Sequence, residues 1–243
     1  MDMDSAISAK TSSSIPTQLV SSSVGKKILM AITGFIAFGY VIGHMLGNLQ
    51  IFIGQDQINT YAKALHAFPA LLWVVRSVLL ISFVAHIWLG IQLKLENMAA
   101  RPIGYKHPDT VKATLASRTM VWTGLTVLSF VVYHLLHFTA MRIVPEFEHL
   151  TDAQGRHDTY SMVILGFQSV PVSIMYIISV GLVCYHLSHG IASMFQSLGW
   201  NNKETEKRLR VISVTISTLV FLGFISIPVA VLAGYLKPMT GGF

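Results

Sequence analysis

The stretch TMVWTGLTVLSFVVYHLLHFTAM, residues 119–141, contains no Asp, Glu, Lys or Arg. A helix needs about 20 apolar residues to cross the hydrocarbon core of a bilayer, and this stretch is long enough. A strand of a membrane barrel would be shorter and would alternate between apolar and polar residues, which this stretch does not do. It therefore predicts a transmembrane helix, and that helix carries two histidines, His134 and His137.

Four other stretches have the same character. Three of them lack Asp, Glu, Lys and Arg, and Arg76 is the only such residue in the fourth; the four are residues 28–55, 64–92, 159–202 and 211–236. The stretch 159–202 is long enough for an interfacial segment followed by a span, with Pro171 near the start of that span. The sequence thus predicts an all-α membrane protein with five transmembrane helices in a bundle.

The composition agrees with a membrane protein. Of the 243 residues, 53% are hydrophobic and 12% are charged, whereas soluble domains carry about 25% charged residues. The formal net charge is +6, and such a basic balance can indicate nucleic-acid binding. Here the lysines and arginines lie beside the apolar spans, which is typical of membrane topology. We therefore expect membrane lipid, and not nucleic acid, around the chain.

The distribution of Lys and Arg predicts the orientation. With the N-terminus in the cytoplasm, twelve of these residues fall on the cytoplasmic side and four on the outer side, and the positive-inside rule favours that arrangement. The C-terminus then lies outside. We expect a polar tail over residues 1–22, a membrane domain over 23–238 and a short tail over 239–243. The first tail lacks a basic start and a cleavage site, so the first span is predicted to be retained.

The single cysteine, Cys184, lies inside an apolar stretch. One cysteine cannot form an intrachain disulfide, and it cannot supply the several thiolates that an iron–sulfur cluster normally needs. We expect it to be a small buried hydrophobic side chain.

Histidines in the spans carry the functional prediction. Six of the ten histidines lie in or near the spans: His44, His86, His134, His137, His186 and His189. A single membrane histidine is usually a hydrogen-bonding partner between helices, but an ionisable residue at depth indicates a functional site. Because four successive spans each carry one, cofactor ligation is the favoured interpretation.

The depth of each histidine along its span predicts two layers. His44 lies 18 residues beyond Lys26, near the cytoplasmic end of the first helix, or roughly 27 Å outward at the helical rise. The same measure puts His134 toward the outside and both His86 and His186 toward the cytoplasm. The layers are then roughly 15 Å apart.

Two histidines in each layer are what bis-histidine haem iron requires. Both axial positions are then filled, so such iron carries electrons rather than binding oxygen. His137 and His189 lie one turn beyond His134 and His186, and spacing alone leaves each of them open as the ligand instead. They could also bond a haem propionate, a quinone or a neighbouring helix.

Small residues on the histidine-bearing helices would make room for a broad, flat ligand. Gly90 and Gly190 follow His86 and His186 by four residues, and the first span has glycines at 39, 43 and 47. Close packing of one helix on another is the alternative explanation.

Polar residues near the outer layer are candidates for further contacts. Arg76 could pair with an outer haem propionate, which we favour, or with a quinone, or extend to the interface. A quinone site needs polar contacts in an apolar slot, and the outer side offers them. The candidates there are Asn48, Gln50, Lys63, His66 and His137.

Four short segments resemble a known family. They are GHMLGNLQ at 43–50, AHIWLG at 85–90, YHLLHF at 133–138 and YHLSHG at 185–190. Together they resemble the cytochrome b subunit of succinate dehydrogenase and fumarate reductase, in its bacterial form with one chain, five helices and two haem b groups. The resemblance implies His44 with His134 and His86 with His186 as ligand pairs, and prefers the first histidine of each close pair.

The resemblance also implies a complex in the bacterial inner membrane. A flavoprotein with covalent FAD would oxidise succinate, an iron–sulfur subunit would pass on the electrons, and this chain would anchor both and deliver electrons through haem to a quinone, usually menaquinone. The chain would have no catalytic site of its own. One position departs from the family, because some fumarate reductases carry a proton-conducting glutamate where this sequence has Cys184.

Two other functions remain open from the sequence. One is a cytochrome b subunit of a hydrogenase or formate dehydrogenase. The other is a transporter that uses histidines as a proton relay, but such transporters usually have internal repeats or broken helices, and neither is evident in the sequence.

Overall fold

Five long apolar helices form the protein. The structure is a computed structural model and describes residues 21–100, 115–200 and 202–239. These ranges contain seven α-helices, which we label α1 Ser23–Leu49, α2 Gln55–His66, α3 Pro69–Ala99, α4 Leu115–His134, α5 Thr159–Gln168, α6 Val170–Ser197 and α7 Lys203–Leu232. All except α2 and α5 are long and apolar enough to cross a membrane, which confirms the predicted fold. Most of the predicted tails and of the loop after α3 lies outside the described residues.

Local sequence signals set the starts of the helices. The Ser22 hydroxyl accepts the backbone N–H of Gly25 at 3.0 Å and caps α1. Asn202 caps α7 in the same way through a capping box with Thr205. Pro69 begins α3, where a missing N–H costs nothing. Pro171 lies in the first turn of α6, so the stretch 159–202 divides into a short α5 and a span, as the sequence predicted.

The helices pack as antiparallel neighbours. Helix α3 lies against α1, and α6 lies against α4, α1 and α7. At one end of the bundle Lys26 of α1 pairs with Glu96 of α3, and the Ser23 hydroxyl donates to the same carboxylate at 3.1 Å. This contact aligns the start of α1 with the end of α3.

The largest buried apolar cluster lies at the opposite end. It joins α2, α5 and the loop after α4 to the ends of α6 and α7; its members include Ile51, Ile58, Phe147, Ile164, Tyr176 and Ile227. The interfacial helix α2 had not been predicted. Outside this cluster, few side chains are buried on α1, α3 and α4, which carry His44, His86 and His134.

Helix α4 changes its winding just after His134. Residues Leu135–Thr139 form a π-helical turn, a rare element that often occurs at functional sites. The turn alters the angle between His134 and His137 from that expected for an unbroken α-helix.

Candidate functional site

Two pairs of histidine rings meet inside the bundle. His44 of α1 and His134 of α4 have ring centroids 5.7 Å apart and an interplanar angle of 80°. His86 of α3 and His186 of α6 have centroids 6.5 Å apart and an angle of 67°. The depths of the four histidines along their spans had predicted these same two pairs.

The ring separations suit an iron held between two imidazole nitrogens. At a metal–nitrogen distance of about 2.0–2.1 Å, two facing imidazoles have centroids about 6 Å apart. All four rings are only half-buried by protein. In α1, side chains added at Gly39 and Gly43 would meet no other atom within 4 Å. The donor set, two imidazoles at this separation in each pair, therefore fits a haem iron.

Threonine hydroxyls contact both rings of the inner pair, His86 and His186. Thr33 Oγ1 lies 3.1 Å from His86 Nδ1, and Thr123 Oγ1 lies 3.1 Å from His186 Nδ1. Each threonine oxygen also lies 3.0–3.2 Å from carbonyl oxygens one turn back in its own helix, to which it donates. Neither threonine was a candidate from the sequence.

The outer pair, His44 and His134, has aromatic neighbours. Tyr40 stacks on His44 with centroids 5.4 Å apart, and Phe130 lies 5.9 Å from the His134 ring. The Tyr176 hydroxyl is 3.4 Å from His134 Nδ1. The two layers therefore differ chemically, since backbone-bonded hydroxyls support the inner rings and aromatic rings surround the outer ones.

His137 and His189 occupy different surroundings. His137 is 1% exposed, its Nδ1 lies 3.0 Å from the Tyr176 hydroxyl, and its ring packs 4.0 Å from that of Phe138. Its position is that of a hydrogen-bonded core histidine. His189 is half-buried, and the ring contact with α3 is made by His186.

The spacing between the layers follows from two close approaches. A Cβ at Gly34 of α1 would lie 3.4 Å from His86 Cε1, and one at Gly124 of α4 would lie 3.7 Å from His186 Cε1. His44 follows Gly34 by ten residues, and His134 follows Gly124 by ten residues, which is about 15 Å of helix in each case. The layers are therefore about 15 Å apart, as the depth argument predicted.

A short pattern recurs at matching places in the two halves of the chain, and we call it the repeat; it was not among the features expected from the sequence. Thr-Gly at 33–34 is followed by His44 eleven residues after the threonine, and Thr-Gly at 123–124 by His134 at the same interval. Each half continues with a short interfacial helix, a proline and a span with a His-x-x-x-Gly segment. The signal was weak because few residues besides these recur.

A comparison with known families identifies the chain. The sequence pattern of the succinate dehydrogenase/fumarate reductase transmembrane subunit matches residues 104–225. The chain belongs to this family. The family is that of the membrane subunit of the succinate dehydrogenase/fumarate reductase complex. No curated protein and no solved structure gave a significant match.

The match covers the second half of this transmembrane subunit. It includes His134 and His186 but neither His44 nor His86. The two first-half histidines lie against His134 and His186 through the ring contacts. Each pair therefore contains one histidine from the matched half of the chain and one from the half outside the match.

The glycines predicted to make room fall into two groups. Gly39, Gly43 and Gly190 face open space, which suits a broad ligand. At Gly47 a Cβ would lie 2.8 Å from the Tyr61 hydroxyl, so this glycine permits close packing of α2 on α1. Close packing therefore explains Gly47, and room for a broad ligand beside Gly39 and Gly43 stays a prediction.

Arg76 lies on α3 at the depth of the outer pair. Arg76 precedes His86 by ten residues on α3. Gly34 of α1 lies against His86, and His44 follows Gly34 by ten residues, so Arg76 and His44 lie at a similar depth. Its guanidinium lies 5.3 Å from the Trp73 ring centroid, a cation–π contact, and the residue is exposed. Tyr176 occupies the corresponding position of the second half, where it contacts His134.

The quinone candidates do not come together in one place. Asn48 donates to the His44 carbonyl at 2.8 Å, Gln50 accepts from Gln57 at 2.9 Å, and a His66 ring nitrogen lies 2.8 Å from the Ala62 carbonyl. Lys63 is exposed. Three of these residues thus have local partners, and the structure describes no single slot that they share.

A polar cap closes the end of the bundle beyond His137. Arg156 bonds Asp152 at 2.7 Å and Asp56 at 2.9 Å, joining the loop 151–158 to α2. Burial acts to raise the pKa of Asp152, but hydrogen bonds from the backbone of Arg156, from Asn59 and from the guanidinium outweigh it and lower the pKa to about 2.

His157 in the same loop has a different environment. Burial lowers the pKa of its imidazole; the nearby Asp158 opposes this effect and His66 adds to it. The neutral form is therefore the one that the folded cap favours. Cys184 is buried and free, as the sequence predicted.

Proposed function

We propose that this transmembrane subunit holds two haem b groups, one between His44 and His134 and one between His86 and His186. It thereby carries electrons between an iron–sulfur subunit and a membrane quinone. When bound between these histidines, haem b would supply a one-electron carrier. The main support for this proposal is the two pairs of histidine rings. Their centroids lie 5.7 and 6.5 Å apart, and the two pairs form layers about 15 Å apart.

The chain's own residues would hold and surround these groups. The imidazoles supply the axial nitrogens, and open space beside Gly39 and Gly43 accommodates a planar ligand. Tyr40 and Phe130 lie against the rings of the outer pair. Arg76, at the same depth as His44, would pair with a propionate of the outer group, since it is the one cation within the predicted spans.

The partners follow from the family. The proposal places a flavoprotein with FAD and an iron–sulfur subunit on the cytoplasmic side, in the inner membrane of a bacterium, with the C-terminus outside. Menaquinone or another quinone would accept or donate electrons at the outer side. His66, Asn48 and Gln50 remain candidates there, although their local hydrogen bonds give them no shared slot.

The rival functions are weighed by different observations. Because the chain has this repeat, the absence of internal repeats no longer argues against a transporter. Membership in the succinate dehydrogenase/fumarate reductase family argues against that function instead. A cytochrome b subunit of a hydrogenase or formate dehydrogenase would need another catalytic partner.

Purification of the native complex through a tag on this chain tests the proposal. We expect a flavoprotein and an iron–sulfur subunit to co-purify, and succinate to reduce part of the haem spectrum under anaerobic conditions. Replacing His134 by Phe should remove one haem and decrease that reduction. Co-purification of a hydrogenase or formate dehydrogenase instead, or a haem spectrum that succinate leaves unchanged in an active complex, would contradict the proposal.

A further inference from the structure

The inner histidines have a pair of unassigned neighbours in Thr33 and Thr123. We propose that these threonines are positioning residues, whose hydroxyls accept the Nδ1–H of His86 and His186 so that each Nε2 offers its lone pair to iron. This inference rests on the proposed function, because it takes both histidines as ligands. It concerns the inner pair only.

The direction of each hydrogen bond follows from counting protons. A threonine hydroxyl has one proton to donate and two lone pairs that accept. The proton of Thr33 has carbonyl acceptors at 3.0 and 3.1 Å in its own helix, and that of Thr123 has them at 3.1 and 3.2 Å. With that proton directed at a carbonyl, the 3.1 Å contact to histidine falls to a lone pair, and the proposal assigns Nδ1 as its donor.

The tautomer that results is the one a ligand needs. A neutral imidazole carries one proton, and with that proton on Nδ1 the Nε2 atom is unprotonated. If the hydroxyl instead donated to Nδ1, the ring proton would be on Nε2 and would block the metal. The backbone carbonyls of α1 and α4 therefore help to select the ligating tautomer through the threonines.

The repeat supplies the second observation. Thr33 and Thr123 occupy equivalent positions in the two halves, on different helices, and make the same contact to equivalent histidines. The glycine after each threonine also lies against the ring, since a Cβ built there would be at an ordinary contact distance of 3.4 or 3.7 Å from Cε1. A Thr-Gly pair thus orients each inner ring.

The bond has a consequence for the redox properties. An acceptor on Nδ1–H makes the imidazole more basic and stabilises ferric iron. Removing the acceptor should therefore raise the midpoint potential of the inner haem and weaken its binding, and outer-shell partners of this kind typically change metal affinity 10–100-fold.

The test uses the purified complex with Thr33→Val, Thr123→Val and the double variant. Haem content, the two midpoint potentials and the ferric low-spin EPR spectrum are measured. Each valine variant should raise only the inner potential and shift its EPR signal, or lose the inner haem while the outer one stays. A tenfold change in the ferric preference corresponds to about 59 mV. Thr33→Ser and Thr123→Ser should restore the wild-type values.

Thr126→Val is the matched control. Thr126 lies in α4 and bonds the Trp122 carbonyl at 3.0 Å, so its loss removes an equivalent backbone contact on an exposed face. Unchanged potentials and EPR spectrum in the double variant would overturn the inference, as would an equal effect of Thr126→Val or of the serine variants. If a valine variant does not fold, Thr33→Ala or Thr123→Ala replaces it. Absence of haem in the wild-type complex would instead overturn the proposed function.

Discussion

Replacing His134 and His137 each by Phe tests which of these two histidines binds haem and which one only packs in the core. In His137→Phe the new ring keeps the place among Phe138, Phe147 and Tyr176, whose centroids lie 4.0, 5.9 and 5.8 Å from the present ring. The variant loses the 3.0 Å bond to the Tyr176 hydroxyl. We therefore expect two haems to remain and the fold to be weakened slightly.

The size of that weakening follows from the partner that is left. The Tyr176 hydroxyl keeps its contact with His134 Nδ1 at 3.4 Å, so no buried group loses every partner. The cost is then that of one hydrogen bond, about 0.5–1.5 kcal/mol. For a soluble domain of similar size, about 1 kcal/mol lowers the melting temperature by about 2–4 °C, and we expect a decrease of that order.

His134→Phe should behave in the opposite way. It removes one nitrogen of the outer pair, so one of two haems should be lost while the inner haem keeps its spectrum. Haem per chain is measured by the pyridine haemochrome method, and melting is followed at the Soret band. Two haems in His134→Phe together with one in His137→Phe would refute the assignment, because the ligand would then be His137.

Three further predictions concern the outer side of the protein. Arg76→Gln should lower the potential of the outer haem and leave that of the inner one, since a nearby cation disfavours ferric iron; redox titration measures both. Gly43→Phe should displace the outer haem without loss of helix content, because the chain itself has open space there; circular dichroism and haem content give the two readouts. Below pH 6.5 the cap should loosen, because His157 must become protonated on unfolding while its folded form stays neutral to a lower pH; hydrogen exchange in residues 151–158 detects this, and His157→Gln should abolish it.

Each of these predictions has an outcome that contradicts it. Equal shifts of both haem potentials in Arg76→Gln would contradict a specific contact between Arg76 and the outer haem. Retention of two haems in Gly43→Phe would mean that the outer haem does not occupy the open space beside Gly43. Asp152 gives the control for pH. Its pKa is about 2 against an ordinary 3.8, so its stabilisation is lost only as the pH falls from about 4 toward 2. Loosening between pH 6.5 and 5 that persists in His157→Gln would refute the role of His157.

Much of the fold could be predicted from composition and length alone. A bilayer requires long apolar helices, so stretches such as residues 119–141 leave little choice. The antiparallel order of the spans and the helical rise then place His44 beside His134 and His86 beside His186. These deductions succeed because the membrane restricts both the direction and the depth of each helix.

Other features depend on contacts between distant segments. Helix α2 has mixed polarity and is held by the cluster around Ile58 and by the bonds of Arg156, which join residues 96 and 100 positions apart in the chain. The π-helical turn after His134 is likewise a product of packing. Thr33 and Thr123 look like ordinary membrane threonines until the opposing histidine is located. The Thr-Gly repeat eleven residues before each outer histidine was the one signal in the sequence that could have found them.

Haem content per chain, in wild type and in His86→Ala, is the most direct test of the central claim. The account predicts two haem b groups per purified chain, and in His86→Ala one remaining haem with the spectrum of the outer site. A folded wild-type protein without haem would contradict the account, and so would a His86→Ala variant that keeps both groups.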